Sequence, residues 1–533
     1  MPVEERRAGG RDAGAQAPQP GSGGAFGWFK RLSVTGRCLV LVGVLLVAIC
    51  ALFGEENWRG RRAWAVCRRD LEAKGALDWQ KFVPPAIPDD QNFAATPFLA
   101  PLFDFNPRPR DAGQSTWRDM EGHDRAVNFA AALLPMDKKG ELPAARFDGR
   151  RTDLEGALSL LQSNQAAASF SSRAEAAAAV LAALKQYEPV LAELRAAGRW
   201  PHSRFDIEYD AEDPISILLP HYLVLTRVTR VLEVRASAEL ALGKSDAAFE
   251  DAGLMHRLAD SIQGEPFIMG GVARGSMMKR TEQIIWEGLA GRNWSEAQLR
   301  EFQKWLENFK PLKDLDWGLQ AEQTAFGDKA FRYVRRHKNT LRMWLGSDEA
   351  RPLMYLLSGP EGWFYQEQVT YHRLYDERVL AGFDADTGHV QPSVIEKNRE
   401  ALERELKGSV FWHHTAFSRL IFGNVMKTFQ SAAFRQDRAN QAVAACALER
   451  YRLANGKYPE AMDALTPRFV DKPPLDVCNG QSLKYRLIQD NEFLLYGVGW
   501  NEKDDGGTVI MKADGSERDP SQGDWVWPPY SRE

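Results

Sequence analysis

Cysteine is scarce, at 5 in 533 residues, and so few thiols cannot staple a chain of this length, which excludes a disulfide scaffold. An excess of either charge is also missing: 68 Lys and Arg stand against 72 Asp and Glu, for a formal net charge of −4. That balance excludes a polycationic nucleic-acid binder and an acidic solvating tail, so no nucleic-acid partner is expected. Familiar catalytic spacings are absent too: the chain has no His-Glu-x-x-His, no Gly-x-Ser-x-Gly and no Cys-x-x-Cys. Long apolar runs are lacking except for one, Cys38 to Phe53 (CLVLVGVLLVAICALF). What is present is 44% hydrophobic and 26% charged. Such a chain can bury a core, and its length predicts about two to four domains.

Residues 1–31 are rich in Gly, Ala, Pro and Arg with few large apolar residues, a composition that predicts a disordered tail. Counted back to Leu32, the apolar run reaches the roughly 20 residues a spanning helix needs if Arg37 snorkels to the interface. A transmembrane anchor over 32–54 is therefore expected. A cleaved signal peptide is the other reading, because a short apolar stretch after Lys30, Arg31 and Arg37 fits one as well. Against it, the run ends in Phe53-Gly54-Glu55-Glu56 with no Ala-x-Ala-like site. Flanking charge does not orient the anchor, since Lys30, Arg31 and Arg37 on one side face Arg59, Arg61, Arg62 and Arg68 on the other. In an oxidising compartment Cys446 and Cys478 are available for a bridge; isolated thiols, Cys67 among them, are the plainer expectation.

Within 55–151, Trp58 to Lys74 reads as a short amphipathic helix continuing from the anchor. Residues 83–109 then combine Pro84, Pro85, Pro88, Pro97, Pro101, Pro107 and Pro109 with Phe93, Phe98, Phe103 and Phe105. The prolines forbid a long helix and the aromatics argue for contact with a core, which predicts an extended segment lying across a helical body. That body is expected over 152–423. Thr152–Glu155, Ser172–Glu175, Ser295–Gln298 and Ser393–Glu396 match the capping box, in which a hydroxyl and a later carboxylate or amide satisfy orphan N–H groups reciprocally. Ala174 to Leu194 is Ala-rich and helix-forming. Leu218–Leu242, Gly243-Lys244 and Ser245–Ile262 form a helical hairpin whose small contact residues and turn glycine resemble a tetratricopeptide unit. Further helices are expected over Val272–Leu289, Glu296–Phe309, Asp316–Leu345, Gln366–Leu380 and Val394–Leu406. The fold class is mainly α: an N-terminal transmembrane helix, an all-α helical-hairpin body and a small C-terminal α+β domain over 424–533.

Candidate chemistry is thin. Gly270-Gly271-Val-Ala-Arg-Gly275-Ser276 looks like a phosphate loop but has no Lys after its last glycine and no strand before it, so close helix packing is the simpler reading. His413 and His414 are adjacent and point about 100° apart on a helix, which keeps them off one metal. His372 and Asp376 have i, i+4 spacing but supply only two ligands. Trp344, Tyr355, Trp363, Phe364, Tyr365, Tyr371 and Tyr375 gather in sequence. They line a ligand groove or, more commonly for such sets, plug loops onto a helical core.

The C-terminal stretch is more specific. A helix from about Val425 to Leu453 carries Phe429, Ala432, Ala433, Ala439, Val443, Cys446, Ala447 and Tyr451 near helical spacing. It is stopped by Asn455-Gly456 and Tyr458-Pro459. A short helix at Glu460–Leu465 and a hairpin of Ser482–Ile488 with Glu492–Val498 follow; Thr508–Met511 and Asp524–Trp527 read as short strands. The segments ALERYRLANGKYPEAMDALTP, PLDVCNGQSLKYR and FLLYGVGWNEKDDGG resemble the C-terminal half of the type II secretion major pseudopilin. The matching positions are Tyr451, Gly456, Tyr458, Pro459, Leu465, Pro474, Asp476, Gly480, Tyr485, Tyr496 and Gly499. The whole chain also resembles large membrane-anchored proteins of planctomycete and verrucomicrobial type that share this tail. Pseudopilins open with a processed leader and a hydrophobic helix with Glu at its fifth mature residue. Here a soluble helix precedes the module, so the resemblance implies a borrowed domain and not a pilus subunit.

The family's Gly/Asp-rich loop binds calcium. The resemblance carries that role to Asn501, Asp504, Asp505 and Asp524 beside Gly506-Gly507, with Asn501 standing where the family has an Asp. A hard cation wants six to eight oxygens, and Asp-Asp-Gly-Gly is also simply a good turn. The function expected is a non-catalytic, single-pass membrane protein acting through protein contacts in an envelope or secretion assembly, in the bacterial inner membrane with a periplasmic body. The alternative is a membrane-anchored extracytoplasmic hydrolase with its site in the helical body.

Overall fold

The computed structural model describes residues 32–106, 116–134, 149–162, 170–337, 359–408, 414–422, 425–489, 492–513 and 518–530, together with Phe29. The chain is mainly α, with a few small strands near its C-terminus. Most of the tail 1–31, together with Trp344, Tyr355 and His413, lies outside the described residues.

The first helix, α1 (Val34–Ala73), is one unbroken element of 40 residues, opened by the Ser33 hydroxyl accepting from Gly36 N. The apolar run and the amphipathic helix are therefore a single rod, and its apolar half is long and apolar enough to cross a membrane. The described part of 83–109 is not extended throughout as expected, and the segment 79–102 is broken into short turns. These are 3₁₀ turns at Trp79–Phe82, Asp89–Gln91, Phe93–Ala95 and Ala100–Leu102, and Phe82, Phe93, Phe98 and Leu102 are buried in the body. A 3₁₀ turn needs only three or four residues between prolines, and it buries aromatics without leaving a long row of unpaired amides.

A two-residue ladder, β1 (Phe105–Asn106) with β2 (Thr116–Trp117), leads into α2 (Met120–Val127), α3 (Leu154–Leu161), α4 (Arg173–Leu184) and α5 (Glu188–Ala197). The Ala-rich run expected as one helix breaks between α4 and α5 because Pro189 takes an opening position, where its missing N–H costs nothing. Then come α6 (His221–Ala241), α7 (Ser245–Asp260), α8 (Ile268–Ala290) and α9 (Glu296–Asn308). Gly243 closes the α6–α7 hairpin at φ +71°, a conformation glycine adopts without a Cβ penalty. α10 (Pro311–Thr324) passes through a π-helical turn into α11 (Phe331–Arg336). α12 (Gly362–Leu374) ends in a second π turn, Tyr375–Val379, and the short ladder β3 (Phe383–Asp384) with β4 (His389–Val390) follows. The remaining helices are α13 (Pro392–Lys407), α14 (Ala416–Phe422) and α15 (Val425–Asn455).

Three of the four capping boxes form differently from expectation. Ser295 and Gln298 make the full reciprocal box; Ser172 accepts from Glu175 N, but the Glu175 carboxylate accepts from Ser171 N and Oγ. At α3, however, Asp153 caps, while Thr152 donates its hydroxyl to Glu287 Oε1 at 2.7 Å. At α13 the helix starts two residues early on Pro392, and Ser393 donates to Glu502 instead.

After α15 comes an antiparallel sheet of β5 (Lys484–Gln489), β6 (Glu492–Gly497) and β9 (Trp525–Val526), in the order β5-β6-β9. β7 (Val509–Met511) pairs with β8 (Arg518–Gly523), a strand the alternation did not predict. Two hydrophobic clusters form the interior. The larger gathers α3 to α9, and the smaller gathers α10 to α14 with Val477, Cys478, Val498, Trp500 and Trp525. α15 belongs to both: Val425, Met426, Phe429 and Ala433 sit in the smaller cluster, and Ala439, Ala442, Val443, Cys446 and Ala447 in the larger. Residues 424–533 thus share their core with the body. Cys446 and Cys478 are free and buried, 32 positions apart along the chain and one in each cluster.

Candidate functional site

An open concavity lies where α13 meets the start of α15, the loop after β6 and the end of β8. Its volume is about 580 Å³ and it is open to solvent. Leu402, Leu406, Phe422, Met426 and Trp500 supply apolar surface, and Glu396, Arg399, Glu403, Lys427, Gln430 and Asn501 supply polar edges. The local sequence explains the mixture. Glu396, Arg399 and Glu403 recur at i, i+3 and i+7 on α13 and form a charge ladder, with Arg399 Nε 2.6 Å from Glu396 Oε2 and a second guanidinium nitrogen on Glu403. Leu402 and Leu406 fall on the neighbouring stripe. Trp500 is brought in by Gly499, which turns at φ +72°, and its indole N–H donates to Glu396 Oε1 at 3.0 Å. Gln430 donates to Ser521 Oγ at 3.1 Å across the other wall. A smaller cavity of about 250 Å³ lies under Phe493, Trp527, Pro528 and Tyr530.

The strongly perturbed acids sit elsewhere. Burial and then the charge of Asp251 raise Glu239 to about 8. Burial raises Glu282 to about 7 against Arg438, Lys279 and Arg435. Burial likewise raises Glu322 to about 7, opposed by the Ile268 amide that its carboxylate accepts at 3.0 Å. Asp437 is pushed well above the carboxylate range by burial and by the nearby Asp476 charge. These groups bind helices together. Glu322, for instance, satisfies the first N–H of α8, which has no cap of its own. His221, buried between Phe103 and Phe205, has Nε2 3.0 Å from Glu265, whose other oxygen accepts from Tyr222 OH at 2.5 Å. None of these residues lines either cavity.

The aromatic cluster is core. Trp363, Phe364, Tyr371 and Tyr375 are buried, Tyr371 stacks on Phe422 at 5.2 Å, and Tyr375 OH donates to Leu319 O at 2.9 Å. His372 is buried, stacked on Trp64 at 5.8 Å, and held to the Gly327 carbonyl at 3.2 Å; burial pulls its pKa down to about 4. Asp376 points instead to Lys74 and Gln323. His414 takes a positive φ of 48° near Trp363. The phosphate-loop lookalike lies inside α8. Arg274 there is buried between Asp314 and Asp260 at 2.6 and 2.7 Å, and a Cβ on Gly270 would stand 2.8 Å from Tyr222 OH.

The four residues singled out for calcium do converge on one loop, but most of their side-chain oxygens already accept hydrogen bonds. Asp524 accepts from the amides of Asp505, Gly507 and Thr508 at 3.2, 2.6 and 3.2 Å. Asp504 accepts from Tyr496 OH and Gly506 N, with Lys484 Nζ 3.5 Å away. Asn501 accepts from Lys503 N and turns its amide toward Asp505 at 2.9 Å. Among the described residues, no group of three or more His, Cys, Asp or Glu is arranged to hold a metal. Donors aimed at amides and at an ammonium do not form a cage of six to eight oxygens, so this set does not fit a calcium ion.

A feature that periodicity does not reveal is the seat of α1. Gly60 and Gly362 cross backbone to backbone: a Cβ on Gly60 would lie 2.2 Å from Gly362 O, and one on Gly362 would lie 2.0 Å from Glu56 O. Around the crossing Gly362 N donates to Asn57 Oδ1 at 2.7 Å, Trp363 and Gln366 donate to Glu56 at 3.2 and 2.8 Å, and Arg61 pairs with Glu361 at 2.9 Å. Glycines 302 positions apart carry no sequence signal of their meeting.

Compared with known protein families, curated proteins and solved structures, the chain matches none.

Proposed function

We propose that this chain is a single-pass membrane protein that acts by binding a protein partner in the bacterial envelope. It sits in the inner membrane with a periplasmic body, and its C-terminal part is a pseudopilin-like unit adapted to a secretion-type assembly. The observation that carries the reading is the open groove between α13, α15, the Trp500 loop and Ser521 of β8. It offers an apolar floor with charges of both signs at its edges, the pattern of a surface made for a protein segment. Support for the anchor comes from the apolar half of α1, none of which is buried in the body, and from its aqueous half, which is seated on Gly362. Support for the pseudopilin-like part comes from the order of its elements: a long helix, a stop at Gly456, a short turn of helix at Met462–Leu465 and an antiparallel hairpin.

The test places a photo-crosslinking residue at Lys427 or Gln430 in the groove and, as a control, at Arg300 on α9, in cells carrying the full chain. An identified envelope or secretion component captured from the groove positions but not from Arg300 supports the reading. A folded, membrane-inserted protein that captures nothing from either groove position refutes it. An alkaline phosphatase fusion at Glu533 separately tests the periplasmic placement, and an inactive fusion on a stable protein overturns that part.

A further inference from the structure

The helix that reads as the anchor continues past its apolar run without a break from Val34 to Ala73. At 1.5 Å per residue, Trp58 and Arg62 stand roughly 8 and 14 Å beyond Phe53. The headgroup layer extends about 5–7 Å past the hydrocarbon on each side. Helical side chains lean toward the N-terminus, which for α1 is toward the bilayer, and an arginine stem spans roughly a further turn. Trp58, Arg59, Arg61 and Arg62 therefore reach headgroup depth. Trp58 is 57% exposed, and the Arg62 guanidinium lies over its ring at 5.4 Å.

The tertiary structure adds more of the body to this level. Arg61 pairs with Glu361 at the start of α12, and Lys74 pairs with Asp376 just past its end, so α12 runs the same way as α1. The start of α12 is thus the end nearest the membrane. Glu361 also lies 3.5 Å from Arg335, and the next residue, Arg336, closes α11 with its side chain 62% exposed. Among the described residues, the carboxylates at this end are Glu55, Glu56, which accepts from Arg59, Glu361, and Glu212, 3.8 Å from Arg336. Each ion pair uses one or two of the five N–H donors of a guanidinium, which leaves the others for phosphate oxygens.

We propose that this end of the body abuts the bilayer, and that Trp58, Arg59, Arg61, Arg62, Arg335 and Arg336 form a collar that binds the phosphate groups of phospholipids. The proposal rests on the reading of α1 as a membrane span. An indole at the interface and guanidinium donors beside it suit a headgroup layer and not a second copy of the same cationic face.

The experiment uses the full chain in nanodiscs of phosphatidylethanolamine and phosphatidylglycerol, and in maltoside micelles that contain no phosphate. Modification of each arginine by phenylglyoxal is followed by mass spectrometry. Arg59, Arg62 and Arg336 are expected to react about tenfold more slowly in the nanodiscs, with Arg300 unchanged. Millimolar inorganic phosphate added to the micelles separates a headgroup from a free anion, since protection by phosphate alone overturns the lipid assignment. Equal rates in both settings sink the collar if Cys38 and Cys50 remain closed to an impermeant maleimide, because the span then stands. Labelling of those two cysteines in the nanodiscs removes the span and the collar with it. In the triple variant R59Q/R62Q/R336Q, nanodiscs should retain fewer phospholipids through detergent extraction than with the unaltered chain. An unchanged lipid count refutes the assignment of these three arginines.

Discussion

Replacing Gly60 by alanine sets two physical effects of opposite sign against each other. In an ordinary helix interior, Gly→Ala gains up to about 1 kcal/mol, because glycine gives up more backbone entropy on folding. At the Gly60–Gly362 crossing the new methyl would lie 2.2 Å from Gly362 O, more than 1 Å inside normal contact, so the helices must part. Parting stretches the bonds that ring the crossing: Gly362 N to Asn57 at 2.7 Å, Gln366 to Glu56 at 2.8 Å and Arg61 to Glu361 at 2.9 Å. Overpacking costs about 1–3 kcal/mol and each bond contributes about 0.5–1.5 kcal/mol. With the propensity gain subtracted, and with the three bonds weakened and not lost outright, the net local loss comes to about 2–4 kcal/mol. Read by amide exchange over residues 57–73 of the full chain in detergent, that loss is roughly a 30- to 1000-fold acceleration. Gly362→Ala should behave alike, because its Cβ would meet Glu56 O at 2.0 Å. Gly43 and Gly54 lie in the same helix with nothing within 4 Å of a Cβ, and their alanine variants should exchange no faster than the unaltered protein. If G60A is as slow as G54A, the account of how α1 is seated is wrong.

Three further outcomes follow from the buried acids, the buried histidine and the C-terminal loop. Burial holds Glu322 at about 7, above its ordinary 4.5. The folded chain therefore binds the extra proton, and stability falls as pH rises from about 4.5 through 7, by at most about 3 kcal/mol. Gln at 322 keeps the acceptor for Ile268 N and cannot ionise, so the urea midpoint of E322Q should gain on the unaltered protein between pH 5 and pH 8; a constant gap contradicts this. His372 is the reverse case, with its pKa lowered from 6.5 to about 4 by burial. Its stabilisation is complete above 6.5 and is lost as pH falls toward 4, by up to about 3 kcal/mol. Because Trp64 stacks on that ring, the protection factors along 57–73, corrected for the intrinsic pH dependence of exchange, should fall at pH 5, and H372Q should remove that acid response; acid sensitivity retained in H372Q would count against it. Asp524 organises its loop through three amides, so D524A should open 499–508 to protease, whereas chelator should leave the unaltered loop resistant. Calcium-dependent protection of that loop would overturn the misfit.

Helices were the legible part, since capping, glycine stops and 3.6-residue spacing are local. The hairpin of α6 and α7, the start of α9 at Ser295 and the stop of α15 at Gly456 lie where those signals put them. Departures came where a proline set the start of a helix, at Pro189 and Pro392, and where Asp153 took the cap in place of Thr152. The groove was not legible. Only Trp500 and Asn501 on its loop side fall inside a stretch that reads as a motif, and Leu402 and Met426 look like any core residues until α13 and α15 are placed.

The sequence by itself determined a mainly α chain with one apolar run of spanning length, because hydrophobicity and helical period are carried by neighbours within a few turns. Only the tertiary structure decided that the apolar run and the following amphipathic stretch are one helix docked on Gly362, that α15 serves two hydrophobic clusters, and that Asp524 spends its oxygens on three amides. Each of these depends on which distant surfaces come within a few ångströms of one another. That is set by the packing of whole helices, and no local pattern encodes it.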